Sequence, residues 1–225
     1  MKVILAETGI AVAGAVRAGG DKARHALVIH RSKPLSVLMH ELGKRSDNFY
    51  AEMIFKTLGS RHKSRGLTSA QGAEAVLNYL KAVGALEEGT VIRNGSGLYS
   101  SDQITTNTLT RVARAAYLDP RFSAEYVAQL AIGGVDGTLH GRFSAFKKSR
   151  VVRAKTGTLN DVTSLSGYVL APVSGSPVAF SFVVNHIAGK VTGARAALDK
   201  CVSVIAHSVL KSNALPGPVP ASESE

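Results

Sequence analysis

Two short polar motifs carry the residue types that chemistry on a peptide requires. Lys155-Thr156-Gly157-Thr158 closes an apolar run that starts at Val151, and such a run predicts a strand whose end lines one wall of a cleft. The second motif, Ser46-Asp47-Asn48, lies between two segments with the apolar spacing of helices. A polar residue at a corner between helices usually caps a helix. Taken alone, the corner therefore favours a capping role for Ser46 and Asn48 over a chemical one.

The elements that must position these motifs are helical before residue 150. Apolar stripes predict helices over residues 34–43, 49–59, 69–84, 105–118 and 124–130. Ser69 is the expected N-cap of the third helix, and Thr105 or Thr106 that of the fourth. Alternating or β-rich stretches predict short strands over residues 9–14, 26–30 and 90–93.

The last third of the chain changes character. Residues 151–155, 162–171 and 177–184 are three strand patterns joined by short connections, which favour an antiparallel meander. A helix is expected after Gly189, with Cys201 among the apolar residues that pack on the sheet. Residues 213–225 are rich in Pro, Ser and Glu, a composition typical of a disordered tail. The predicted fold class is α/β of the α+β type, helical in its first two-thirds, with a C-terminal antiparallel sheet and a packing helix.

Composition excludes several function classes. The 27 basic and 16 acidic residues give a net charge of +11, but the charges are scattered and no row of aromatics alternates with them, so we predict no nucleic-acid partner. One cysteine excludes an internal disulfide. The histidines are isolated, and we predict neither a metal site nor a cofactor. Glu7 interrupts the first apolar run, so this chain is predicted to carry no signal peptide.

Four blocks in a fixed order carry a family resemblance. They are Lys44-Arg45-Ser46-Asp47-Asn48-Phe49-Tyr50-Ala51-Glu52, Asn94-Gly95-Ser96-Gly97-Leu98, Gly134-Val135-Asp136-Gly137-Thr138-Leu139, and Ala154-Lys155-Thr156-Gly157-Thr158-Leu159 with Leu165-Ser166-Gly167-Tyr168. The first and last match two signatures of penicillin-recognising serine enzymes, whose third signature is Ser-x-x-Lys. Over roughly residues 1–210 the chain resembles the D-alanyl-D-alanine carboxypeptidase/endopeptidase family, the class C low-molecular-mass penicillin-binding proteins.

The resemblance implies a fold and a reaction. Residues 1–212 would be the C-terminal part of a penicillin-binding domain, a partial transpeptidase/β-lactamase-like fold. The enzyme would be a serine-type hydrolase that cleaves D-Ala-D-Ala ends of peptidoglycan stem peptides through an acyl-enzyme and is bound by β-lactams. Its location would be periplasmic or extracytoplasmic. Whether carboxypeptidase or endopeptidase action dominates stays open.

The resemblance also implies a role for each motif residue. Ser46 would relay a proton to the leaving D-alanine, and Asn48 would bind the substrate amide and steady the lysine. Lys155 would supply positive potential and a hydrogen bond to Ser46. The hydroxyls of Thr156 and Thr158 would bind the terminal carboxylate, and the Thr158 N–H would form half of the oxyanion hole. Gly157 would let the substrate strand lie close to the sheet, where a Cβ would obstruct it.

The nucleophile has no good candidate in this sequence. In the family the serine of Ser-x-x-Lys stands far upstream of the Ser-Asp-Asn block, and only 45 residues precede Ser46 here. Ser60/Lys63, Ser144/Lys147 and Ser208/Lys211 have the spacing but follow Ser46, which is the wrong order. We therefore expect an N-terminal segment of the same protein as a partner and no activity from this chain alone. A non-catalytic peptidoglycan- or β-lactam-binding module is the alternative, and a basic nucleic-acid-binding protein is disfavoured.

Overall fold

The computed structural model describes residues 2–15, 29–62, 67–171 and 175–212, and the chain divides into two units, Met1–Lys33 and Pro34–Glu225. The first unit contains helix α1 (Lys2–Glu7), which has no buried residue. Residues 10–15 are exposed and form no strand, so the strand predicted over residues 9–14 is wrong. Of the strand predicted over residues 26–30, residues 26–28 lie outside the described part, and Ile29 and His30 are in no strand. The predicted tail, residues 213–225, also lies outside it.

Helices dominate the second unit up to residue 130. They are α2 (Leu35–Arg45), α3 (Asn48–Leu58), α4 (Ser69–Ala82), α5 (Thr106–Leu118) and α6 (Ser123–Gln129). Thr105 caps α5 as predicted, since its hydroxyl accepts from the N–H of Thr108 at 3.0 Å. The cap of α4 is Thr68 and not Ser69, because Thr68 exchanges hydrogen bonds with Gln71 in a capping box.

Four antiparallel strands follow in the order β1-β2-β3-β4. Their bounds are Ala131–Ile132, Val152–Thr158, Thr163–Val169 and Val178–Val184. The predicted meander is confirmed in β2 to β4, whereas β1 is too short to show a periodic pattern. The strand predicted over residues 90–93 is reduced to one bridge between Val91 and Gln103.

Helix α7 (Val191–Ser212) packs on one face of this sheet. Its buried residues are Leu198, Val202, Ala206 and Val209, and they join a core cluster with the inward side chains of β2, β3 and β4. Cys201 is exposed, so its predicted burial is wrong: the buried stripe of α7 is narrow and passes through the neighbouring Val202.

Helices α5 and α6 cover the opposite face of the sheet, where Tyr168 of β3 is buried. The Tyr168 hydroxyl donates to the carbonyl of Ala113 at 2.5 Å, and burial raises the pKa of this phenol. The predicted fold class is thus confirmed, with helices first and then an antiparallel sheet backed by a helix. Among the helices that the structure describes, none is long and apolar enough to cross a membrane.

Candidate active site

The three residues at the corner between α2 and α3 have two roles: one caps α3, and the other two line a cleft. Asp47 is the N-cap of α3, and its carboxylate accepts from the N–H of Tyr50 at 2.9 Å. Ser46 ends α2 in the left-handed conformation, with φ 59°, which a residue with a side chain seldom adopts outside special sites. Ser46 and Asn48 both line a cleft. Because Asp47 performs the capping, the other two side chains remain directed to the cleft.

Lys155 on β2 connects the corner to the sheet. Its ammonium donates to Ser46 Oγ at 2.5 Å and to the carbonyl oxygen of Thr156 at 2.9 Å. No carboxylate among the described residues forms an ion pair with it. Burial lowers the pKa of Lys155 below its ordinary value, because desolvation disfavours the charged form. The lysine is therefore a cation that can give up a proton more readily than a surface lysine.

The three residues after Lys155 also line the cleft. Thr156 Oγ1 donates to Thr138 Oγ1 at 2.9 Å. Thr158 is exposed, and its hydroxyl accepts from the guanidinium of Arg195 at 3.3 Å. A Cβ at Gly157 would overlap Ser164 Oγ on the paired strand β3. The glycine thus keeps the floor of the cleft open beside the two threonines.

One edge of β2 is free next to the cleft. Strand β1 reaches only Ala154, and beyond that residue no other described strand pairs with this edge. The N–H of Gly133 donates to the Val152 carbonyl at 3.0 Å, which places the backbone groups of Val152 on the β1 side. Since these groups alternate along a strand, those of Thr156 and Thr158 point to the same side. An extended peptide can therefore hydrogen-bond along this edge.

The loop between Asn94 and Leu98 forms another part of the cleft lining. Ser96, Gly97 and Leu98 face the cleft. Glu52 on α3 holds this loop, since its Oε1 accepts from the N–H of Gly95 at 3.1 Å, the N–H of Ser96 at 3.0 Å and Ser96 Oγ at 2.6 Å. Glu52 belongs to the first motif block of the sequence, but no role was predicted for it. The available signal was its spacing, four residues after Asn48 and hence on the same side of the helix.

An ion pair between a buried lysine and a partly exposed aspartate holds the corner against β1. Lys44 is 6% exposed, and its ammonium donates to Asp136 Oδ2 at 2.8 Å and to the carbonyl of Leu130 at 2.6 Å. The other oxygen of Asp136 accepts from the N–H of Ile132 at 2.7 Å. These contacts tie the end of α2 to the strand beside β2. They fix the position of Ser46 relative to Lys155, and sequence analysis assigned them no role.

The three serines with Ser-x-x-Lys spacing lie elsewhere. Ser60 and Ser144 are in short 3-10 turns, and Ser208 is on α7. All three are exposed and none lines the cleft. Lys63, the partner of the first, is outside the described residues. Across the described parts of the chain, no three His, Cys, Asp or Glu side chains are grouped to hold a metal ion.

The cleft has a volume of about 670 Å³, and its walls are the Ser46 corner, the 94–98 loop and the end of β2. An antiparallel sheet backed by a C-terminal helix, with such a cleft at its edge, agrees with the penicillin-binding fold expected from the sequence. The model of the D-Ala-D-Ala carboxypeptidase 3 (S13) family matches residues 1–204. The chain belongs to this family.

Individual relatives agree with the family assignment. The D-alanyl-D-alanine carboxypeptidase of Actinomadura sp. (strain R39) is 34% identical over 194 residues, which are 82% of this chain and 35% of the relative. DacB of Haemophilus influenzae, also a D-alanyl-D-alanine carboxypeptidase, is 31% identical over 170 residues, or 74% of this chain and 34% of the relative. The chain thus spans about a third of the length of these relatives.

A solved structure shows the same fold. The crystal structure of penicillin-binding protein 4 (dacB) from Haemophilus influenzae, in complex with a β-lactam, superposes with a TM-score of 0.67. The two sequences are 28% identical, and the match covers 81% of this chain and 43% of that one. The predicted family and the predicted penicillin-binding fold are therefore both confirmed.

Proposed function

We propose that this chain supplies two walls of the active site of a serine-type D-alanyl-D-alanine carboxypeptidase/endopeptidase. The substrate would be a peptidoglycan stem peptide that ends in D-Ala-D-Ala, and the reaction would proceed through an acyl-enzyme. The observation that carries the proposal is the hydrogen bond of 2.5 Å between Lys155 Nζ and Ser46 Oγ, two residues 109 positions apart. It joins the Lys-Thr-Gly strand to the Ser-x-Asn corner across one cleft.

The geometry supports a proton path. A nucleophilic serine attacks the carbonyl carbon of the penultimate D-alanine, and the C–N bond to the last D-alanine breaks. The departing nitrogen needs a proton, and Ser46 Oγ is placed to deliver one because it already accepts from Lys155. Burial lowers the pKa of Lys155, which favours such a transfer. Asn48, on the same wall of the cleft, would bind the substrate amide and steady the lysine.

The end of β2 supports the binding roles. The hydroxyls of Thr156 and Thr158 line the cleft and would hold the terminal carboxylate. The backbone N–H of Thr158 lies on the free edge of β2, where it can donate to a developing oxyanion. Gly157 leaves the floor of the cleft open for the bound peptide.

We further propose that a polypeptide of these 225 residues is not acylated by penicillin. None of its three Ser-x-x-Lys serines lines the cleft, and a site without its nucleophile keeps only binding and oxyanion contributions, at most roughly 10³- to 10⁴-fold over water. An N-terminal segment of the same protein would bring the nucleophile, and the whole enzyme would work outside the cytoplasm, where peptidoglycan lies.

Labelling with a fluorescent penicillin and a denaturing gel tests this proposal. The 225-residue polypeptide should give no covalent band, whereas a polypeptide extended by a Ser-x-x-Lys segment should give one. A band from the 225-residue polypeptide that disappears on Ser60→Ala, Ser144→Ala or Ser208→Ala would overturn the assignment. The extended polypeptide carrying Lys155→Ala is the control for a cleft-dependent reaction.

A non-catalytic binding module is the second candidate. The carboxylate-binding residues and the free edge of β2 belong to this chain, and they suffice for binding without turnover. Equilibrium binding of an N-acylated D-Ala-D-Ala peptide by the 225-residue polypeptide, lost in Lys155→Ala, would support this use of the same cleft.

A further inference from the structure

Positive charge is segregated in two stretches of the C-terminal third of the chain. The sequence has no acidic residue between Asp136 and Asp161, and none between Asp199 and Glu223. The first stretch contains the turn over residues 144–150, and the second contains the C-terminal half of α7. The basic residues of both stretches therefore have no acidic neighbours in the sequence.

The fold brings these two stretches together. The ring of Phe146, in the turn, lies 5.0 Å from the ring of His207 on α7, and Phe146 belongs to the core cluster that contains the buried residues of α7. Asp199 is the only acidic residue on α7, and its carboxylate forms an ion pair with Arg142 at 2.5 Å. The negative charge of Asp199 is therefore balanced within the structure.

The exposed side of α7 has a regular pattern of residues. Lys200, Val204, His207 and Lys211 are all exposed and follow one another at steps of four, three and four residues. This spacing places them in one line along the helix, on the side opposite to the buried stripe. The line is about 16 Å long, at 1.5 Å per residue. Val204 is 69% exposed, so an apolar side chain lies in contact with solvent between two lysines.

The turn beside α7 adds three exposed cations, which are Lys147, Lys148 and Arg150. The N–H of Arg150 donates to the carbonyl of Phe146 at 2.8 Å, which fixes the backbone of the turn. Neither these three cations nor Lys200 and Lys211 form an ion pair with a carboxylate in the described part of the chain. Together with Val204, these five cations form a surface that we call the basic face.

Cations around an exposed apolar side chain on a helix are typical of a surface that binds a membrane. Such a helix lies in the plane of the bilayer, with its apolar residues among the headgroups and its lysines and arginines against anionic lipid. Single-stranded nucleic acid is bound instead by exposed aromatic side chains along a basic groove. The aromatic residues of the neighbouring turn, Phe143 and Phe146, are both buried. The composition of the basic face therefore favours a membrane over a nucleic acid.

We propose that the basic face binds the surface of a bilayer that contains anionic lipid. Helix α7 lies parallel to the membrane plane, with Val204 at the level of the headgroups and the cations of the face against the lipid phosphates. The inference goes beyond the proposed function and does not depend on it, because no residue of the basic face lines the cleft.

Cosedimentation of the 225-residue polypeptide with lipid vesicles tests the inference. The probes are vesicles of phosphatidylglycerol and phosphatidylcholine in equal parts, and vesicles of phosphatidylcholine alone. The polypeptide should bind the anionic vesicles and not the neutral ones, and the affinity should fall as the salt concentration rises. Lys147→Gln combined with Lys148→Gln should weaken binding about tenfold or more. Val204→Asn should weaken it several-fold, because the apolar contact with the bilayer is lost.

A double variant with the same loss of charge is the control. Lys81→Gln combined with Arg114→Gln removes two exposed cations from α4 and α5, and it should leave vesicle binding unchanged. Since all the substituted positions are exposed, each variant should keep the urea midpoint of the unsubstituted chain. No binding to anionic vesicles, or equal losses in the two double variants, would overturn the inference. Duplex DNA bound as tightly as the vesicles, with no effect of Val204→Asn, would assign the face to a soluble polyanion instead.

Discussion

Each wall of the cleft has a lysine with a different environment: Lys44 is buried behind the corner, and Lys155 is half-buried on β2. Lys44, behind the helical corner, has the Asp136 carboxylate at 2.8 Å. Lys155, on the strand wall, has only a hydroxyl and a carbonyl within hydrogen-bond distance among the described residues. A buried cation with a carboxylate partner fixes geometry, whereas one without it is destabilised in its charged form. Lys44 thus fixes the position of the corner, whereas Lys155 has no carboxylate partner among the described residues.

The same contrast extends to the backbone. Strand β2 is fixed by seven paired positions with β3, so its place in the sheet does not depend on the side chains that face the cleft. The corner has no such ladder. It is held by the contact of Lys44 with Asp136, and the adjoining 94–98 loop is held by Glu52. Substitutions far from the reacting atoms should therefore disturb the corner more than the strand.

Asp136→Ala should have the largest effect on stability. It leaves the Lys44 ammonium buried without its carboxylate, and breaking such a pair costs about 3 kcal/mol, the low end of the usual range because Asp136 is itself partly exposed. It also removes the acceptor for the Ile132 N–H. Urea unfolding of the 225-residue polypeptide measures the loss in free energy of unfolding.

An exposed ion pair on α2, the helix that contains Lys44, is the matched control for Asp136→Ala. Glu41 pairs with Arg45 four residues later at 3.0 Å, with the arginine side chain 77% exposed. Glu41→Ala should cost only about 0.3–0.5 kcal/mol. Equal losses in Asp136→Ala and Glu41→Ala would contradict the structural role assigned to the Lys44 pair.

Lys155→Met should increase the free energy of unfolding, in contrast to Asp136→Ala, and it should abolish binding of the D-Ala-D-Ala peptide. Removing a half-buried ammonium that has no carboxylate partner among the described residues relieves its desolvation, and we expect a gain of about 1 kcal/mol at neutral pH. Thermal or urea unfolding gives the stability, and titration with the D-Ala-D-Ala peptide gives the binding. A loss of stability as large as that of Asp136→Ala would remove the distinction between the two walls.

The stability gain from Lys155→Met should become smaller as the pH rises. Burial lowers the pKa of Lys155 from its ordinary 10.5, so its destabilising contribution is complete below the lowered pKa, where both the folded and unfolded states are charged. The contribution fades as pH rises towards 10.5, because the folded state loses its proton first. The stability difference between Lys155→Met and the unsubstituted chain should therefore shrink over that window. A difference that grows with pH would contradict the assigned shift.

The sequence was sufficient where the signal is local. Apolar periodicity predicted the helices and the three long strands, and the two polar motifs predicted which side chains would share a cleft. It was insufficient where contacts join distant positions: Lys44 and Asp136 are 92 residues apart, and Glu52 and Ser96 are 44 apart. Nothing in the sequence around Lys44 or Glu52 indicates that Asp136 or Ser96 is its partner. Cys201 shows a related limit of the sequence pattern. Helical spacing predicts which side of α7 faces the sheet, but it does not predict how wide a stripe of that side the sheet buries.

Glu52→Gln should have the smallest effect on the free energy of unfolding. It weakens the hydrogen bonds that hold the 94–98 loop, and it leaves no buried charge without a partner. Gln keeps an acceptor oxygen for Gly95 and Ser96 but loses the charge assistance, which makes such bonds roughly twice as strong as neutral ones. We expect a loss of about 0.5–1 kcal/mol.

The loss from Glu52→Gln should be confined to the loop. Hydrogen exchange at the Gly95 and Ser96 amides should become several-fold faster, since those N–H groups bond to Glu52, while the amides of β3 keep their protection. Glu74→Gln, at an exposed position on α4, is the control and should change neither. Faster exchange throughout the sheet would mean that the loop and the strand wall are stabilised together. The effect of Glu52 could then no longer be assigned to the 94–98 loop alone.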